Sequence, residues 1–224
     1  MRLVEHFFAL IAPHECIKCG LEGVILCDMC AKGGLEPVPE RCYRCSRLEP
    51  RSRTCPACRH HSVIKHAWVC SSYTPVARKV VHSLKFEFAR SSALLIARHM
   101  AAALPALTAE TVIVHIPAAT THIRQRGFDQ SALIARELAA LLKLPHFHAL
   151  ARSGQQRQVG SSQQTRRLQM KDAFRVVSSE AIENADVLLV DDVLTTGSTL
   201  ESAGLALKRG GAKTVSAAVF AQAI

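Results

Sequence analysis

The run Leu188-Leu189-Val190-Asp191-Asp192-Val193-Leu194-Thr195-Thr196-Gly197-Ser198-Thr199 constrains the fold more than any other stretch of the chain. Three apolar, strand-forming residues lead into two adjacent carboxylates and then into a loop of small hydroxylated residues around one glycine. Leu200 to Lys208 then reads as a helix that stops at Gly210-Gly211, where glycine can supply a left-handed cap. A strand, a small-residue loop and a helix N-terminus together build an anion cradle: loop amides and hydroxyls face the anion, and the helix dipole favours negative charge. Two acceptor side chains beside such a cradle suit a vicinal diol, so the pattern points to a ribose 5-phosphate. Without a ligand, two carboxylates ending a buried strand need some other partner to offset their desolvation.

The remaining elements agree with an α/β chain. Ala67 to Tyr73 reads as a short strand, Pro75 to Phe86 as a helix, and Ser91 to Ala103 as an alanine-rich helix. Thr111 to Ile116 is a β-branched run closing at Pro117, as expected of a buried parallel strand. Gly127 to Leu142 repeats apolar residues at helical spacing, and Val187 to Val190 and Thr214 to Phe220 complete the strands. Strands alternating with helices predict a parallel, doubly wound sheet whose ligands bind at the carboxyl ends of its strands.

Eight of the nine cysteines fall into four C-x-x-C pairs: Cys16/Cys19, Cys27/Cys30, Cys42/Cys45 and Cys55/Cys58. Two such knuckles complete a four-cysteine zinc site, so the spacing predicts two structural Zn²⁺ ions. Sequential pairing gives two ribbons; interleaved pairing also satisfies the count. The segment is poor in apolar residues, so metal must do much of the work of folding it. Cys70 lies in a strand-like run and reads as a core residue. The chain is expected to divide near residue 66: an N-terminal helix and double zinc-ribbon module over 1–66, and an α/β domain over 67–224.

Composition sets the setting. With 49% hydrophobic residues a packed core is available, and no apolar run approaches the roughly 20 residues of a membrane helix. The stretch before Pro13 is interrupted by Glu5 and His6 and lacks a small-residue cleavage site. A cytoplasmic protein without membrane insertion is the expectation. The net charge of +10 is unevenly placed: residues 67–224 carry +7, and the span 122–175 alone carries +7. Within it, Ala151 to Lys171 is rich in glutamine, holds Arg157, Arg166 and Arg167, and contains no acid. Such a loop can meet phosphates through its arginines, or be a solvated surface.

The aspartate pair and hydroxyl loop resemble the 5-phosphoribosyl-1-pyrophosphate (PRPP) signature of type I phosphoribosyltransferases. By that likeness Asp191 and Asp192 hold the ribose hydroxyls, while Thr195, Thr196, Gly197, Ser198 and Thr199 wrap the 5-phosphate. The run Ile116-Pro117 through Arg124-Gln125-Arg126-Gly127-Phe128-Asp129-Gln130 resembles the R-x-R-G-F-[ND]-Q element of the ComF/GntX family. The segment from Leu150-Ala151-Arg152 to Ala173-Phe174 is similar to that family's second shared stretch. The resemblance implies a phosphoribosyltransferase-like domain behind a zinc-ribbon module, associated with uptake and handling of transforming single-stranded DNA.

PRPP binding requires Mg²⁺ on the pyrophosphate. Residues near Pro117 form the pyrophosphate loop by position, with Arg124 and Arg126 as anion partners for pyrophosphate or nucleic acid. In the 6-oxopurine transferases the position of Thr195 is an aspartate that serves the base; here it is threonine, and the acceptor is left open. Lys85 reads either as an anion partner or as a solvated helix lysine, and His115 as a satisfied core residue. Three readings follow from the likeness. The first is a competence-type protein that binds PRPP and handles single-stranded DNA. The second is an active transferase with an unknown acceptor. The third is a PRPP-sensing adaptor whose ribbons meet proteins of the DNA-uptake machinery.

Overall fold

The computed structural model describes residues 14–86, 89–153 and 173–223; the expected N-terminal helix and Arg157, Arg166 and Arg167 lie outside them. In chain order the strands are β1 (Ile64–Ser72), β2 (Thr111–His115), β3 (His146–Phe147), β4 (Leu150–Arg152), β5 (Phe174–Val176), β6 (Asp186–Leu194) and β7 (Thr214–Gln222). The helices are α1 (Asp28–Lys32), α2 (Pro75–Phe86), α3 (Ala89–Ala103), α4 (Thr120–Arg126), α5 (Gln130–Leu142) and α6 (Ser198–Arg209). Five strands form a parallel sheet in the order β1-β7-β6-β2-β3, and β4 and β5 pair separately as an antiparallel ladder.

Alternation along the central strands divides the interior into two cores. Ile113, Leu188, Val190, Ala218 and Phe220 meet Val80, Leu84, Ile96, Met100, Ile134 and Leu138 of α2, α3 and α5. Their neighbours Val112, Val114, Val187, Leu189 and Val219 face Leu200, Ala203 and Leu207 of α6 and Leu150 and Phe174 of the small ladder. Apolar side chains on both faces explain why these strands read as near-continuous hydrophobic runs. Cys70 packs against the first core, as expected of a core residue.

Three of the boundaries that differ from the sequence expectation have a clear local reason. β1 begins at Ile64 rather than Ala67 because the cysteine-rich segment supplies partners there: Thr54 donates its N–H to the Lys65 carbonyl (3.0 Å) and its hydroxyl to that of Ile64 (2.5 Å). β6 continues past Val190 to Leu194 because β7 keeps pairing with it, Asp191 opposite Val219 and Leu194 opposite Gln222. α5 begins at Gln130, since Gly127 (φ 78°) is the left-handed cap of α4 and Asp129 caps α5.

The cysteines assemble sequentially, Cys16, Cys19, Cys27 and Cys30 in one quartet and Cys42, Cys45, Cys55 and Cys58 in the other. The first knuckle of each is the same turn: Cys16 and Cys42 donate N–H to Leu21 and Arg47, and accept from Gly20 and Ser46, all at 2.8 Å. The quartets join different cores. Cys16, Leu26, Cys30 and Ala31 enter the α2/α3 side, and Tyr43 enters the α6 side.

Gly204 tests the closeness of α6 to β1, because a Cβ there would stand 2.6 Å from Ile64 Cδ1 and 3.0 Å from Val63 Cγ2. Alanine would raise helix propensity by about 1 kcal/mol, but overpacking a well-filled core costs about 1–3 kcal/mol. Because Ile64 is buried, the steric term wins: Gly204→Ala should lower stability by about 1 kcal/mol, read as a lower urea midpoint at unchanged slope.

Candidate functional site

The parallel pairing of β2 with β6, Thr111 opposite Asp186 through His115 opposite Val190, sets the loops that follow them side by side. From β2 the chain moves to β3 on one side, and from β6 to β7 on the other. That reversal is the crevice where open α/β sheets take their ligands. Ile116 extends the ladder with one more bond, its N–H to the Val190 carbonyl at 3.0 Å, and there β2 stops. Asp191 and Asp192 therefore lie on β6 beyond the end of one neighbouring strand and still beside the other.

Each carboxylate already has a protein partner. Asp191 Oδ1 accepts from Ser131 Oγ on α5 at 3.0 Å and from the Asp192 N–H at 3.0 Å. Asp192, buried, has its Oδ2 2.7 Å from Lys85 Nζ at the end of α2. Burial, with the adjacent Asp192 charge, pushes the Asp191 carboxyl up to about 8; the Asp192 N–H, the Ser131 hydroxyl and Lys85 pull the other way. Lys85 is thus half-buried and paired, its ammonium facing the Asp192 carboxylate. Nothing in helical spacing marks it, and the only cue is its place between Leu84 and Phe86.

The loop after β6 has the expected cradle elements. Gly197 takes a left-handed φ of 75° as the N-cap of α6 and accepts the first helical bond from the Glu201 N–H at 3.0 Å. Thr196 Oγ1 donates to Ser198 Oγ at 3.0 Å, Thr195 and Thr196 are exposed, and Ser198 and Thr199 are half-buried. The first amides of a helix have no intrahelical acceptor and remain available to an anion.

The loop after β2 is braced by the arginine-glycine element. Asp129 accepts from the Ala118 N–H through Oδ2 (2.8 Å), and from the Ser131 and Ala132 N–H groups through Oδ1 (3.0 and 3.3 Å). One side chain thereby starts α5 and ties down the loop. Arg126 donates to Gln130 Oε1 at 3.2 Å and lies 5.0 Å from the centroid of Phe86, whereas Arg124 is exposed on α4. Of the two arginines expected at an anion, Arg126 is thus engaged in packing. Arg152 on β4 donates from Nε to the Pro117 carbonyl at 2.9 Å, bringing the second sequence stretch onto the same loop. His115 is buried with its Nδ1 3.0 Å from His146 Nε2, and burial pushes both rings down to about 4.

The quartets fit tetrahedral metal. A zinc–sulfur bond of about 2.3 Å places the sulfurs of a tetrahedron about 3.8 Å apart. Cys16 and Cys27 Sγ are 3.9 Å apart, Cys19 and Cys27 3.8 Å, and Cys45 and Cys55 3.6 Å. Burial works to raise the Cys16 thiol, yet the N–H groups of Cys27, Cys19 and Lys18 outweigh it and bring it down to about 6. Against the same opposition those of Cys55, Arg44 and Cys45 bring Cys42 down to about 7. Peptide groups aimed at sulfur favour the thiolate, the form that ligates a cation.

The second quartet also reaches the loop after β6. The Tyr43 hydroxyl meets Ser62 Oγ (2.8 Å) and donates to Glu201 Oε1, which accepts from Arg44 Nη1 as well (2.7 Å). No spacing in the sequence connects these positions. No helix among the described residues is long and apolar enough to cross a membrane.

Residues 129–223 match the model of the phosphoribosyl transferase domain family, so the parallel sheet is the phosphoribosyltransferase type. The chain is 31% identical over 214 residues to the DNA utilization protein YhgH of Salmonella typhimurium, covering 89% of this chain and 85% of that one. It is 34% identical over 105 residues to competence protein F of Haemophilus influenzae, covering 45% and 46% of the two chains. With competence protein ComFC of Bacillus subtilis it shares 35% identity over 106 residues, 47% and 42% of the two.

Asp191 supplies a pH test. An unfolded aspartate releases its proton near about 3.9, whereas the folded carboxyl holds it up to about 8. Between those values the native state binds the extra proton, so this contribution is full below the lower value and is lost as pH rises to the upper one. Asp191→Asn should remove that slope, and urea midpoints measured at pH 5 and pH 8 should lie closer together than in the parent protein.

Proposed function

The chain belongs to the ComF family of DNA utilization and competence proteins, and from that premise we propose that it binds PRPP with Mg²⁺ at the end of β6 and handles single-stranded DNA during its uptake. The observation that carries the reading is the junction of two braced carboxylates with the Gly197 loop at the β2–β6 switch point. In this assignment Asp191 and Asp192 accept from the ribose hydroxyls, and Thr195 to Thr199 hold the 5-phosphate through hydroxyls and helix-end amides. The loop after β2 receives the pyrophosphate, with Arg124 on the exposed side of α4. Mg²⁺ bound with the ligand neutralises that pyrophosphate. Lys85, its Nζ 2.7 Å from Asp192 Oδ2, holds that carboxylate in place for the hydroxyls to meet.

Zinc is the metal assigned to the two quartets: four thiolates in a tetrahedron with no position left for substrate describe a closed structural site. The cytoplasm is the compartment in which eight paired thiols remain available to metal rather than to one another. Thr195, in the place of a base-serving aspartate, favours a PRPP-binding platform over a purine transferase.

Calorimetry with PRPP and Mg²⁺ tests the site. Asparagine keeps the shape of each aspartate but puts an amide donor in place of one acceptor oxygen. The lost bond contributes about 0.5–1.5 kcal/mol where the carboxyl keeps its proton, as at Asp191 below about pH 8, and about 1.5–3 kcal/mol where it is charge-assisted. Asp191→Asn should therefore weaken binding about two- to tenfold and Asp192→Asn about ten- to a hundredfold, and unchanged affinity in the double variant would sink the assignment.

The nucleic-acid part rests on charge, the +7 carried between residues 122 and 175. Every phosphate of a single strand that a basic side chain neutralises adds about 0.7 to the steepness of the salt dependence. Alanine at Arg157, Arg166 and Arg167 together should weaken oligonucleotide binding and flatten its slope by about 2. A triple variant indistinguishable from the parent would make that segment a solvated surface.

A further inference from the structure

A glutamate in the first turn of α6 is at odds with a phosphate at the same helix end. Glu201 suits the helix dipole, but it stands one turn from Gly197, Ser198 and Thr199, where an anion is to be held. The spacing Ser198-x-x-Glu201 has the form of a capping box, yet the N-cap is Gly197, and the Ser198 N–H is met by Thr196 Oγ1 at 3.4 Å rather than by Glu201. The carboxylate is instead turned to the cysteine segment. Oε1 accepts from Arg44 Nη1 at 2.7 Å and from the Tyr43 hydroxyl, and Oε2 accepts from the Val63 N–H at 3.2 Å.

The same tyrosine forms one wall of the loop. A Cβ on Gly197 would lie 2.7 Å from Tyr43 Cε2, so the ring is packed against the loop backbone where φ is positive. Tyr43 is buried, its hydroxyl shared with Ser62, and Arg44 also donates to the His61 carbonyl at 2.7 Å. Both residues sit between Cys42 and Cys45, inside a turn held by the bonds Cys42 N–H to Arg47 and Ser46 N–H to Cys42. The first quartet has no such reach, since its buried residues belong to the opposite core.

We propose that Tyr43 and Arg44 are positioning residues for the phosphate loop, linking the second metal centre to anion binding: they engage the Glu201 carboxylate, cancel its charge at the helix end, and wall the loop at Gly197. The inference rests on the ribose-phosphate reading of that loop. Loss of metal from the second quartet frees Glu201 and the loop together, and anion affinity falls; loss from the first quartet does not act by this route. By reciprocity, a phosphate held at the loop favours the metal-loaded second quartet.

The test uses the full-length, zinc-loaded protein, PRPP with Mg²⁺ as the probe, and zinc content as the check that each variant keeps its metal. Arg44→Ala exposes the Glu201 charge without touching a ligand cysteine, and should weaken binding roughly two- to thirtyfold, the range of a charge at a helix end. Adding Glu201→Gln removes the opposing charge, and should restore most of that loss. Tyr43→Phe keeps the ring against Gly197 but loses the hydroxyl, and should weaken binding in the same direction by less. Arg44→Ala with parental affinity overturns the inference and leaves the PRPP site standing. A double variant as weak as Arg44→Ala alone also overturns it, because Arg44 then acts on the ligand or the fold rather than through Glu201. A parent protein that binds no PRPP overturns the site reading and this inference with it.

Discussion

Two carboxylates in consecutive positions near the end of a central strand are an electrostatic problem, and much of the molecule is arranged around it. Removing such charges from water is costly unless other groups compensate them. Here the compensation comes from two helices that are far apart in the chain: Lys85 from the last turn of α2 answers Asp192, and Ser131 from the first turn of α5 answers Asp191. These bonds also fix positions. α5 can offer Ser131 only because Asp129 starts that helix where it does, and Asp129 is the residue that holds the loop after β2. The acidic pair, its braces and the neighbouring loop are therefore one connected unit, of which the R-x-R-G-F-D-Q run is the backbone-shaping part.

Much of this was legible in the residues. Apolar periodicity marks α2 over Pro75–Phe86, and the β-branched run marks β2. The C-x-x-C spacing leaves sequential and interleaved pairing open, and the structure selects sequential quartets. The misreadings have physical causes. Paired aspartates look like the end of a strand, but β7 continues to offer hydrogen bonds, so β6 runs through them to Leu194. α4 has seven residues, with Ile123 its one large apolar side chain, and leaves almost no periodic trace. Its terminal Gly127 reads as the start of the next helix when it is the cap of the previous one. Lys85, Glu201 and Tyr43 matter through partners 107, 158 and 154 positions away in the chain at Asp192, Tyr43 and Gly197 respectively, and no local pattern encodes pairings at that range.

The cysteine segment is more than an appendage. Its first quartet contributes Cys16 and Cys30 to the core beneath α2 and α3, and its second contributes Tyr43 to the core beneath α6. Small metal modules have too few apolar residues to be stable alone. By docking on opposite faces of one sheet, these two share its interior. The expected boundary near residue 66 falls two residues inside β1, whose start is paired to Thr54. Metal module and sheet therefore meet within one hydrogen-bonded structure.

The order of the strands has a consequence for biosynthesis. Among the described residues, β7 is the last strand to leave the ribosome, yet it lies between β1 and β6 and joins them in the sheet. Until it arrives, β1 lacks its parallel neighbour among the described residues and the acidic stretch of β6 lacks its flanking ladder. Both quartets are complete once Cys58 has emerged. Nascent chains thus reach the exit tunnel's mouth with their metal-binding end able to form while the sheet waits, the delay expected of long-range parallel pairing. During that interval the half-built sheet is the species most exposed to aggregation, and an N-terminal segment whose quartets can close around a metal is the part least dependent on it.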